Sequence, residues 1–127
     1  MKALLWVVAV MVAAAALVTG VPARAHHSHS PFYDDSKSVE AIGTVTKFVF
    51  RNPHSYLYVE APNAEGKTIA WEIEMGASVT MSRRGWTPET IKAGDQIKVT
   101  GRPSRAPGTY GMCCAQLTKP DGSSLRP

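Results

Sequence analysis

Five β-type segments, with one helical stretch between the third and the fourth, most constrain what this chain can fold into. Val39 to Phe50 is rich in β-branched and aromatic residues, and Gly43 predicts a bend within it. Arg51-Asn52-Pro53-His54 interrupts the run, because Pro53 lacks the N–H that a ladder needs. Ser55 to Ala61 reads as a second strand, with Leu57 and Val59 on one face and Tyr56 and Tyr58 on the other. After a turn at Pro62 to Lys67, Ile69, Trp71, Ile73 and Met75 alternate with Thr68, Ala70, Glu72 and Glu74, as in a half-buried strand. Ser78 to Arg84 is the helix, started by Ala77 or Ser78 and stopped by Gly85, with Val79 and Trp86 expected to face the core. Thr87-Pro88-Glu89 places a proline at a first helical position, so Thr87 to Lys92 reads as a short helical turn. Gln96 to Gly101 is the fourth strand, with Ile97 and Val99 inward, Arg102 to Gly111 a long loop, and Met112 to Thr118 the fifth strand. The order predicts an all-β domain with one short helix, arranged as a five-stranded OB-like β-barrel. A small β-sandwich is the competing fold.

The stretch ahead of this domain does not belong to its core. Lys2 precedes an unbroken apolar run from Ala3 to Val18; Thr19, Gly20 and Pro22 break it, and Ala23-Arg24-Ala25 has the small-x-small pattern of a cleavage site. These three parts in this order predict a signal peptide over residues 1–25. The run is short of the roughly 18 residues expected of a spanning helix, so contact with a membrane is expected only before cleavage. Residues 26–37 then form a polar, His-rich arm, read as extended or mobile, and residues 38–127 the barrel. Cleavage removes two of the 14 basic side chains and none of the 10 acidic ones, so the net charge falls from +4 to +2. A charge that small gives no footing for nucleic acid as a partner.

His26, His27 and His29 crowd the expected new terminus, and His54 is the one histidine inside the domain. A free α-amine on His26 is partly neutral at neutral pH and can chelate a metal together with its own imidazole. A second imidazole would complete a nitrogen set suited to Cu(II), with zinc a weaker expectation. A solvated polar arm with no ligand is the plain alternative. In a barrel of this order, the loop holding Asn52 and His54 and the loop holding Arg102, Arg105 and Tyr110 flank the usual binding face. Tyr56 and Tyr58 resemble a stacking platform, or ordinary sheet surface. Met112, Cys113 and Cys114 offer soft sulfur donors that favour Cu(I). On a regular strand adjacent cysteines point to opposite faces, so neither a staple nor joint chelation is expected of them. Asp34 and Asp35 are candidates for assisting a metal or capping a turn, and Glu72 and Glu74 are expected on a solvated face. No nucleophile–base pair, phosphate loop or dinucleotide fingerprint occurs.

The start His26-His27-Ser28, the strand Ile42-Gly43-Thr44-Val45, the motif Asn52-Pro53-His54, Trp71, the step Arg84-Gly85-Trp86 and the turn Gly94-Asp95 resemble a family of small exported bacterial proteins classed as a domain of unknown function. His29 and the Cys113-Cys114 pair depart from its pattern. The resemblance implies a Gram-negative periplasmic protein with a barrel-like fold, and it supplies no activity. The leading expectation is therefore a periplasmic protein that binds or delivers copper through His26, His27, His29 and His54. The runner-up is a non-enzymatic module that takes a small ligand or another periplasmic protein on Asn52, Tyr56, Tyr58, Arg102, Arg105 and Tyr110, without metal. An oxidative copper enzyme braced at His26 is the third reading, disfavoured because so small a domain offers little surface to a polymer substrate.

Overall fold

Strand β1 (Val39–Val49) is long enough to serve two neighbours. Its first half, Val39 to Thr44, pairs with β4 (Gln96–Pro103), and its second half, from Thr44, pairs with β2 (Tyr56–Pro62). The hand-over falls beside Gly43, where a Cβ would overlap the carbonyl of Glu60 and stand 2.8 Å from Cα of Ala61. Only a residue without a side chain lets the strands cross so closely, which is the physical content of the bend predicted at Gly43. The structure, a computed structural model, describes residues 1–2, 4–7, 11 and 29–125. His26, His27 and the expected cleavage site lie outside the described residues.

The remaining strands are β3 (Thr68–Glu74) and β5 (Gly111–Thr118). The order β1-β2-β3-β5-β4 closes on itself as a barrel. Every pairing is antiparallel except β3 with β5, which run parallel through Glu72↔Gly111, Ile73↔Met112 and Glu74↔Cys113. This is the OB-like arrangement expected of the element order, and closure excludes the two-sheet sandwich. The interior is filled by Val45, Leu57, Val59, Ile73, Ile97, Val99 and Met112, the inward positions of alternating strands.

Helix α1 (Ser78–Ser82) lies between β3 and β4, and Met81, Trp86 and Ile91 from this connection join the core. Val79, expected inward, is half exposed at 51%, and Met81 is the buried residue instead. Two helical steps rotate a side chain by about 200°, so a five-residue helix that buries Met81 must turn Val79 outward. Trp86 is buried as expected and packs on Phe48 at 6.5 Å between ring centroids. Ala77 has no capping side chain. Asn52 supplies the cap from another loop: its Oδ1 accepts from the Val79 N–H at 3.2 Å and from the Ser78 hydroxyl at 3.0 Å.

In place of an extended arm, the chain from His29 is a series of turns docked on the barrel. The Asp34 N–H donates to the Pro103 carbonyl at 2.8 Å, the Arg105 N–H to the Phe32 carbonyl at 2.8 Å, and Tyr33 bridges to Ser104. Arg102 meets Asp35 at 2.8 Å and Arg105 meets Asp34 at 3.5 Å. Asp34 is held below the usual carboxylate range by hydrogen bonds from Ser36, and Asp35 by one from Ser30 and then by Arg102. Depressed carboxylate pKa values stabilise the docked state above the unfolded values and lose that effect as pH falls through the folded ones. Acidification below about pH 4 is therefore expected to release residues 30–37 while the barrel stays folded. Amide exchange at Asp34 and Arg105 that accelerates ahead of exchange in β1 and β4 would show it; simultaneous acceleration would contradict it.

Candidate metal centre at the loop end of the barrel

Glu74 closes β3 at the point where β2 and β5 flank it, paired with Tyr56 on one side and with Cys113 on the other. Its side chain is only 16% exposed. One carboxylate oxygen, Oε1, stands 2.9 Å from Nδ1 of His54 and 3.7 Å from Nδ1 of His29. The other, Oε2, accepts a hydrogen bond from the Tyr33 hydroxyl at 2.7 Å. Burial, and next the hydrogen bond to Glu74, push the Tyr33 phenol well above its ordinary value, so it stays a donor. The two imidazoles meet edge to face with centroids 6.3 Å apart. A carboxylate that takes the Nδ1–H of His54 fixes the tautomer that leaves Nε2 with a free lone pair, the arrangement that metal-ligating histidines use.

The sulfur side of the centre comes from a bulge in β5. Arg102 pairs with Cys113 but Thr100 pairs with Gln116, so β5 carries one residue more than β4 over this stretch. Cys114 absorbs the excess with φ of 56°, in the left-handed region. Gly101 makes room opposite, where a Cβ would stand 2.7 Å from the Cys113 carbonyl oxygen and 2.8 Å from Cγ of Met112. The two thiols consequently turn to the same side and lie in contact, sulfur to sulfur 2.7 Å. This corrects the expectation of opposite faces, which holds for an unbroken pleat and not for a bulge. Cys113 is buried and Cys114 exposed, and both are free thiols. Burial, followed by the contact with Cys114, pushes the Cys113 thiol up to about 12. A ring nitrogen of His29 and the sulfurs of Cys113 and Cys114 all lie within 4.8 Å of one another.

The fold thus gathers His29, from the arm, and His54, from the β1–β2 loop, around Glu74, and sets the cysteine pair beside them. Glu74 is a correction, since it stands inside the cluster and not on a solvated face. Tyr56 lines a cleft of about 680 Å³ together with Phe32, Tyr33, His54, Glu74 and Arg105. His29, His54 and Glu74 also line a second cleft of about 690 Å³, together with Met75, Trp86, Cys114 and Leu117. Other candidates are engaged elsewhere. Asn52 caps α1. Tyr58 sits on the outer wall across from Glu72. Arg102 binds Asp35, and Nε of Arg105 donates to the carbonyls of Ser30 and Tyr33, both at 2.9 Å. The Tyr110 ring packs edge-on against Trp71 at 5.5 Å.

Fold and site together define an OB-like barrel with a histidine–carboxylate–cysteine cluster at its loop end. The chain belongs to a family of unknown function, DUF6152, whose profile matches residues 13–113. No curated protein and no solved structure matches it.

Proposed function

We propose that this protein binds a soft metal ion, copper first of all, in the periplasm after export, and holds or delivers it. The observation that carries the reading is the convergence of the His29 imidazole with the Cys113 and Cys114 sulfurs within 4.8 Å. Two thiolates and an imidazole suit Cu(I), and zinc is the competing ion. Two sulfurs on one ion at about 2.3 Å each stand about 3.8 Å apart, close to the ordinary contact distance of two sulfurs, so both can reach one ion. Cys114, exposed and on a bulge, is the side chain better able to adjust to an ion. His54, held by Glu74 at 2.9 Å, is the candidate for a further nitrogen donor beside these three.

Intact mass and copper and zinc titration of protein exported and processed by a bacterial host test this reading. A mass that begins at His26, with one equivalent of Cu(I) held by the reduced protein against a competing chelator, is the expected result. Binding no tighter than that of an unfolded His-rich peptide would overturn it. Glu74→Gln should lower copper affinity by about 10- to 100-fold, because it loosens the hold on His54 without removing a ligand. An unchanged affinity would place His54 outside the site. The alternative, a metal-free ligand-binding module, rests on the cleft beside Phe32 and Tyr56, with Phe32 70% exposed. The arginines expected to serve it are used to dock the arm, which favours the metal.

A further inference from the structure

We infer that Cys113 and Cys114 are a redox couple, which closes into a vicinal disulfide by exchange with a small-molecule disulfide and in doing so discharges the metal. The second half of this inference rests on the metal-binding reading above; the first does not.

Adjacent cysteines on a regular strand cannot join, since their side chains diverge. Here the bulge, the left-handed backbone of Cys114 and the missing Cβ of Gly101 remove that obstacle before any oxidation takes place. The pair is also graded in access. Cys114 is exposed, whereas Cys113 is 1% exposed. That is the arrangement of an attacking and a resolving thiol.

The exchange balances in two displacements. The Cys114 thiolate attacks one sulfur of an incoming disulfide, R–S–S–R; a new S–S bond forms between Cys114 and that sulfur, the S–S bond of the incoming disulfide breaks, and one thiolate, RS⁻, leaves. Cys113, having given up its proton to solvent or, in the loaded protein, its bond to the metal, attacks Sγ of Cys114; the ring closes and the second thiolate leaves. The pair has lost two electrons and two protons, and the incoming disulfide has become two thiols. The ring sulfurs then carry no thiolate charge, so His29 alone remains of the three convergent donors and Cu(I) loses its soft ligands. Reduction by a dithiol reverses each step.

The test uses the reduced, exported protein and glutathione disulfide as the probe. The expected result is a monomer that has lost two hydrogen atoms by mass, whose alkylatable thiols fall from two to none, and whose bound Cu(I) falls from one equivalent to none until reductant restores both. Cys113→Ala should instead trap a glutathione adduct on Cys114. A stable adduct on the unmodified protein, or a dimer linked through Cys114, would overturn the redox couple. Ring closure with copper retained would overturn the discharge. Ring closure in a protein that binds no copper even when reduced leaves the couple standing and overturns the metal reading instead.

Discussion

Cys114→Ser is expected to weaken Cu(I) binding by at least about a hundredfold while leaving the melting temperature almost unchanged. The affinity loss exceeds the 10- to 100-fold typical of disturbing a residue behind the ligands, because a charged sulfur donor itself is removed and a hydroxyl is a hard, neutral replacement. The stability should hold because Cys114 is exposed and serine is its near-isostere; surface changes of this kind stay within about 0.5 kcal/mol. Separation of the two effects is the point of the variant. Cys113→Ser removes the same kind of donor but also buries a hydroxyl among core residues, so its loss of affinity would be mixed with a loss of fold. Competition against a chromophoric Cu(I) chelator, with thermal melts of the metal-free proteins, reads both quantities. Equal affinity in the variant would take Cys114 out of the site.

Gly43→Ala is expected to lower stability by about 3 kcal/mol or more and the melting temperature by about 12 °C or more. The added Cβ meets backbone, not a side chain that can swing away: the Glu60 carbonyl carbon at 2.7 Å and the Ala61 Cα at 2.8 Å. Relief requires β1 and β2 to part at the point where β1 passes from one neighbour to the other, and that opens the barrel. Gly66→Ala is the control. Its φ of 77° carries the ordinary left-handed cost of about 1–2 kcal/mol, but its Cβ would meet nothing within 4 Å. Melts in which the two variants lose equal stability would contradict the close-crossing account of Gly43.

The barrel was legible because its evidence is local. Alternation marks Leu57 and Val59 or Ile69 and Ile73 as inward whatever the partners are, and one helix between the third and fourth strands selects the topology. Val79 faces outward because the five-residue helix buries one side chain, and nothing in the sequence says that Met81 takes that place. The site was legible only in part. The topology brings the β1–β2 loop and the β4–β5 loop to one end, so His54 and Arg105 were expected near each other, and both line the first cleft. Glu74 was not found, because its role depends on the parallel register Glu74↔Cys113, which a sequence does not carry. The convergence of the cysteines was missed for a related reason: one extra residue in β5 is visible only against its partner β4. Gly101 was the available signal, a glycine interior to a strand and therefore a mark of close backbone approach or a bulge.

The arm links the two levels. Its acidic residues Asp34 and Asp35 hold Arg105 and Arg102, and this docking carries His29 and Tyr33 onto Glu74. Metal binding and arm docking should therefore stabilise each other, since both fix the same short segment.

X-ray absorption at the copper edge of the reduced, exported, Cu(I)-loaded protein tests the central claim most directly. The account predicts a first shell that contains two sulfur atoms and at least one imidazole nitrogen, from Cys113, Cys114 and His29. A shell of nitrogen and oxygen alone would contradict it, and would take the cysteine pair out of the copper site.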